Sequence, residues 1–155
     1  MYKLRDRCNL CQVTQIEPAD ASAVVVADQF GRTAKRLGRA FDDALAPHGV
    51  TLPRARVLFE VADGGPMRVA AVGAAIGIAQ GTASEIADAL VREGLLTRSE
   101  DPADRRAVLL HATAEGLLHA ERWRASYTQA VEDLFEPLGP TQRAQLLELL
   151  KTLEP

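Results

Sequence analysis

Aromatic residues make up only 5% of this 155-residue chain, with a single tryptophan. Strong β-formers are few while alanine fills 26 positions, so an all-β sandwich is excluded and the composition leans toward helix. Cysteine is as scarce. Cys8 and Cys11 are the only two, too few for a disulfide framework. No apolar run approaches the ~18 residues needed to cross a bilayer, and the opening MYKLRDRCNL has no uninterrupted apolar core of the signal-peptide kind. These absences lead to the expectation of a cytoplasmic protein with no membrane partner, whose thiols stay reduced. There is also no phosphate-binding glycine loop, no His-Glu zinc pattern and no Gly-x-Ser-x-Gly elbow. Neither an enzyme nor a cofactor is expected.

What is present is ordinary for a globular domain: 47% hydrophobic residues, 25% charged and a net charge of -3. A chain of this size can bury roughly 70% of its unfolded surface, so one self-sufficient core is expected. The acidic total by itself argues against a polyanion partner, which makes the placement of charge decisive. Arginine outnumbers lysine 15 to 3, and its planar fork suits phosphate, guanine and carboxylate better than an ammonium does.

Residues 1–19 show no sustained period and end in Glu17-Pro18, the pattern of an N-terminal arm. Asp20 or Ser22 can cap a helix that follows to about residue 46. In it Phe30, Ala34, Leu37, Phe41 and Leu45 recur at spacings of 4, 3, 4 and 4, the stripe of a long amphipathic helix. Pro47-His48-Gly49 stops it. Pro53 is placed as the first residue of a second helix, buried through Val57, Leu58 and Val61 and ended by Asp63-Gly64-Gly65-Pro66. A short third helix carries Val69, Val72 and Ile76, with Gly77 at its end. A fourth, Gln80 to Glu93, buries Ala83, Ile86, Ala87 and Leu90 before Gly94. Two short helices joined by a turn containing glycine form a helix-turn-helix.

The period then changes. Leu95 to Arg98 and Ala107 to Ala112 read as two strands joined by a polar loop, Ser99 to Arg106, which makes a β-hairpin wing. Thr113 caps a fifth helix carrying Leu117, Ala120, Trp123, Tyr127, Val131 and Leu134. Pro137-Leu138-Gly139-Pro140 interrupts it, and a sixth helix closes with Leu146, Leu147, Leu149, Leu150 and Leu153. The expected fold is mainly α with a small β-hairpin wing: a winged helix-turn-helix flanked by N- and C-terminal dimerisation helices. The boundaries are an arm at 1–19 and a single domain at 20–155, with a DNA-binding lobe at about 53–112 between dimerisation helices at about 20–46 and 113–155.

In a helix-turn-helix the start of the second helix can enter the major groove. Here Gln80, Gly81, Thr82, Ser84 and Glu85 occupy it. Gln can bond adenine, Thr and Ser can bond bases or phosphate, and free N–H groups at the helix start attract phosphate. Gln80 or Thr82 serving only as a helix cap is the competing reading. Glu85 can accept from cytosine N4 or stand as a solvated charge. Between Arg54 and Arg106 the sequence holds 7 basic and 8 acidic residues. DNA binding therefore requires segregation, with Arg68, Arg92, Arg98, Arg105 and Arg106 turned toward DNA and acids such as Glu60, Asp63 and Glu93 turned away.

The strings LAPHGVTLPRARVLFEVADGG at 45–65, IGIAQGTASEIADALVREGLLTR at 76–98 and DPADRRAVLLHATAEG at 101–116 occur in order, with helices on both sides. In these the chain resembles the MarR family of bacterial transcription regulators from about Ala23 onward. The resemblance implies a sequence-specific double-stranded DNA-binding regulator, a repressor, acting as a homodimer on a pseudo-palindromic operator. It carries the minor-groove arginine onto Arg106 and its supporting acid onto Asp104, with Arg105 as an additional cation. It also implies release of DNA by a small aromatic or phenolic effector. Phe41, Phe59, Trp123 and Tyr127 are then candidate walls of the effector cleft, and Arg39 or Arg56 a carboxylate partner; ordinary core packing is the alternative for each.

Cys8-Asn9-Leu10-Cys11 lies outside the resembling region, beside Arg5 and Arg7, whose charge favours thiolate. One such pair is half of a tetrahedral zinc site, so no metal is expected. A redox-sensing regulator working through Cys8 and Cys11 is one alternative function. A winged-helix protein-interaction module, suited to the acidic total, is another.

Overall fold

The computed structural model of the chain describes residues 22–153. The arm with Cys8, Cys11 and Asp20 lies outside them. Two compact units part between Arg36 and Leu37. Helix α1, Ala23–Leu45, runs through both. Within the first unit its polar side is laced by Arg32 to Asp28 at 3.0 Å and Gln29 to Thr33 at 3.3 Å, the four-residue spacing that brings side chains together on a helix. Ser22 accepts from the N–H of Val25 at 3.4 Å, a long contact for a cap.

In the second unit, α1 ends on the fully buried Leu45, and a 3₁₀ turn follows at Ala46–His48. Helix α2 is Leu52–Gly64, one residue earlier than Pro53 alone predicts. Thr51 contributes no side-chain cap, and the N–H of Leu52 donates instead to Asp42 of α1 at 2.8 Å. Strand β1, Met67–Arg68, leads into α3, Val69–Ile76, and α4, Gln80–Arg92. Gly77 sits at φ +71°, closing α3 and letting the chain swing through 113° into α4.

Strands β2, Leu96–Asp101, and β3, Asp104–Ala112, form the wing. The structure corrects two expectations here. The sheet has three strands in the order β1-β3-β2, because Met67 and Arg68 pair with Leu110 and Leu109. Ser99 to Arg106 is not one loop: both strands continue and only Pro102-Ala103 turns between them. No non-glycine residue among those described has positive φ, so this turn lacks the left-handed backbone of a tight hairpin. An irregularity between Glu100 and Asp101 absorbs the mismatch, and the Asp101 carboxylate accepts from the N–H of Ala103 at 2.8 Å.

Helix α5, Ala114–Phe135, is capped as expected by Thr113, whose hydroxyl accepts from the N–H of Gly116 at 2.9 Å and donates to the Gly94 carbonyl at 2.7 Å. A Cβ on Gly116 would stand 2.0 Å from the Leu95 carbonyl oxygen, so glycine is required where α5 meets the exit of α4. The core gathers around α2: Val57, Leu58 and Val61 with Leu45, Val72, Leu90, Leu96 and Leu110, all fully or almost fully buried. At ~1.5–3 kcal/mol for each large aliphatic side chain, this cluster is the main support of the lobe. Helix α6, Pro140–Lys151, has no buried residue. Its Leu147 and Leu149 are 53% and 65% exposed. Among the described residues no single helix is long and apolar enough to cross a membrane.

Candidate nucleic-acid interface

The first residues of α4 are presented by the turn at Gly77 and held by Ala83, Ala87 and Leu90, which are buried against the core. That leaves Gln80, Gly81, Thr82 and Glu85 exposed and Ser84 half-buried at the edge. The residue at the cap position is Ala79, which offers no side-chain acceptor. Neither Gln80 nor Thr82 stands at that position.

The wing packs beside this helix start. Arg68, Gln80, Ser84, Arg98 and Arg106 line one groove of about 400 Å³ between α4 and the sheet. Five of the nine residues read as DNA-contacting from the sequence thus converge, although they come from four elements. Thr82 and Glu85 lie on the same exposed helix start. Arg105 and Arg106 belong to strand β3 rather than to a loop, and Arg106 is exposed.

Ion pairs hold the groove in shape. Arg68 reaches Asp101 through Nε at 2.7 Å and Nη2 at 2.5 Å. Asp101 is only 8% exposed. The Ala103 N–H and then the Arg68 guanidinium hold its carboxyl below the usual aspartate range, and Asp101 in turn raises Arg68. Arg98 pairs with Asp88 of α4, which ties β2 to the helix. Asp104 accepts from the backbone N–H of Arg106 at 3.1 Å and lies 3.8 Å from Arg68. The acid engaged with the backbone ahead of Arg106 is therefore Asp104, whereas the buried acid of the wing is Asp101. The sequence reading did not single out Asp101, and its signal was the preceding member of the same Asp-Pro-Ala-Asp string. Of the acids expected to lie away from the groove, Glu93 pairs with Arg54 and Asp63 with Arg124 at 2.9 Å, whereas Asp88, Asp101 and Asp104 pair with the groove's own arginines.

The residues read as an effector cleft separate into groups. Tyr127 stacks between Phe41 and Phe59, with ring centroids 5.0 and 6.2 Å away. The cation over Phe59 is Arg124, at 4.5 Å from the ring centre, while Arg39 and Arg56 are exposed. Trp123 is buried and meets His119 edge-on at 5.4 Å. It lines a different, polar cavity of about 350 Å³ with His48, Arg54, Glu93, Glu115 and His119. Apart from Trp123, sequence reasoning missed this cavity, whose lining comes from several distant segments.

A short helix, a sharp turn, a second helix with an exposed polar start and a three-stranded wing define a winged helix-turn-helix protein. The sequence model of the MarR family matches residues 48–107. A helix-turn-helix transcriptional regulator of Bacillus subtilis, the uncharacterized YkoM, is 29% identical over 104 residues, which cover 67% of this chain and 68% of that protein. The structure of Bordetella bronchiseptica BpsR, whose DNA binding is regulated by 6-hydroxynicotinic acid, is 28% identical, with a TM-score of 0.77, covering 83% of this chain and 91% of that one. A mutant Escherichia coli MarR complexed with operator DNA shares the fold at 21% identity, with a TM-score of 0.79 over 85% of this chain and 95% of that one. Residues 48–107 thus match the MarR family, and the chain shares the fold of solved MarR-type regulators over more than four fifths of its length.

Proposed function

We propose that the protein is a cytoplasmic homodimeric repressor that binds a pseudo-palindromic double-stranded operator and releases it when a small aromatic or phenolic ligand binds. The observation that carries the reading is the convergence of Arg68, Gln80, Ser84, Arg98 and Arg106 on one groove beside the start of α4. In this reading Gln80, Thr82, Ser84 and Glu85 at the start of α4 meet base edges in the major groove. In the same reading Arg106 on the wing meets the neighbouring minor groove, where narrow width concentrates negative potential, and Arg105 adds a second cation to the sequence of β3. Arg68 and Arg98 serve phosphate from the groove's floor, and their pairing with Asp101 and Asp88 fixes the angle of the wing.

The homodimer is supported by α6, whose exposed Leu147 and Leu149 and lack of any buried residue leave apolar surface to cover. A twofold axis spaces two recognition helices about one DNA turn apart. Ligand response is supported by BpsR, whose DNA binding responds to 6-hydroxynicotinic acid. The test is affinity for DNA from the chain's own upstream region, measured against salt with and without aromatic acids. A regulator loses affinity steeply as salt rises. Binding that is insensitive to salt and to sequence points instead to a winged-helix protein-interaction module.

A further inference from the structure

The polar cavity at the far end of α4 has features that packing alone leaves unexplained. Its walls carry five ionisable side chains, His48, Arg54, Glu93, Glu115 and His119, around an apolar patch of Val50, Leu95 and Trp123. Two of its buried polar atoms, Arg54 Nε and His119 Nδ1, have no hydrogen-bond partner among the described residues. They come from α2 and α5, two separate helices. The other polar ends are engaged. Arg54 Nη2 meets Glu93, His119 Nε2 lies 3.2 Å from Glu115 and His48 Nε2 lies 2.8 Å from Ser126. The Arg54 Nε–H is always a donor, and an imidazole Nδ1 donates or accepts according to the tautomer. The cavity's own acceptors, Glu93 and Glu115, are already engaged with Arg54 Nη2 and His119 Nε2, and the Arg54 Nε–H is left without one among the described residues.

Glu93 makes this cavity more than a packing defect. It is the C-cap residue of α4, where a negative charge opposes the helix dipole. Arg54 compensates that charge and ties the exit of α4 to the first turn of α2. We propose that this cavity is a binding site for a small monocarboxylate that competes with Glu93 for Arg54, so that occupancy unties the rear of the recognition helix. The carboxylate takes the arginine fork bidentately, as guanidinium and carboxylate geometry favours. His119 Nδ1 offers a second polar contact, and the ligand's apolar body lies on Val50, Leu95 and Trp123. The volume of about 350 Å³ suits a single-ring acid. This inference rests on the reading of the chain as a ligand-responsive regulator, and places the response at the α2–α4 tie rather than among Phe41, Phe59 and Tyr127.

Trp123 is the only tryptophan in the chain, so its fluorescence reports from the cavity wall. The full chain is titrated with benzoate, phenylacetate and acetate, and with benzamide as the neutral counterpart of benzoate. The expected result is a saturable response to at least one acid, about tenfold tighter for benzoate than for benzamide. Arg54→Gln weakens benzoate by about tenfold or more, whereas Glu93→Gln, which removes the internal competitor's charge, tightens it. The opposite signs separate a binding role from a general loss of folding. No saturable response to any of the three acids overturns the proposal, and so does equal affinity for benzoate and benzamide, or an affinity that neither substitution changes. These titrations contain no DNA. Failure of the protein to bind DNA would break the regulator reading and leave the fluorescence result to judge the cavity.

Discussion

The two ends of α4 are built in opposite ways. At its start the cap position is an alanine, the polar residues face outward, and arginines from three strands face them across an open groove. At its exit Glu93 is tied to Arg54, Leu95 is buried, and the carbonyls of Gly94 and Leu95 accept from Thr113. Backbone groups left without side-chain partners at the first end are free to meet phosphate. Backbone and charge at the second are bound into the frame that sets the helix's angle. In the proposed function the start of α4 is the end that meets the polyanion, and its exit is the end held by the frame.

The largest way to break the contrast is at the rear. Gly116→Ala puts a Cβ 2.0 Å from the Leu95 carbonyl oxygen, and the backbone must shift, so a loss of ~3 kcal/mol or more in urea unfolding is expected. Wild-type stability in that variant would show that the junction is pliable. At the front, Arg106→Ala should leave stability unchanged and weaken operator binding by ~1–3 kcal/mol with a shallower dependence on salt. Unchanged affinity and slope would remove Arg106 from the interface.

A smaller effect concerns the hinge between the wing and its base. Because the Asp101 carboxyl is held below the usual aspartate range by the Ala103 N–H and Arg68, its contribution is fully present above the ordinary aspartate pKa. It is lost as pH falls through the lowered folded-state value. The Ala103 amide should therefore stay protected from exchange at neutral pH, and Asp101→Asn should lose part of that protection there. Equal protection in the two proteins would show that the turn holds itself. The smallest change is Ser84→Ala, which should alter preference between an operator and a base-substituted variant while leaving the salt slope nearly intact. A changed slope with unchanged preference would move Ser84 from base edges to phosphate.

Helix order and type were legible in the chain because they depend on local signals: Pro53, Gly77, Gly94 and Thr113 at helix ends, and apolar periods between them. Individual misses have physical reasons. Met67-Arg68 is too short to show a strand period, and only pairing with Leu110 and Leu109 makes it a strand. The wing's polar residues looked like loop because exposed strand positions in a hairpin need no apolar side. Asp101 was not singled out because burial is not written in a string containing both acids.

By itself the sequence determined a helical chain with a helix-turn-helix, a wing and the polar side chains at the start of α4, since turn chemistry and hydrophobic period act over a few residues. Tertiary structure alone decided which charges neutralise one another and which stay available. The pairs Arg68 with Asp101, Arg54 with Glu93 and Arg124 with Asp63 each join residues 33 to 61 positions apart. Such pairings depend on the three-dimensional approach of separate elements, because Coulomb attraction follows distance in space and not along the chain.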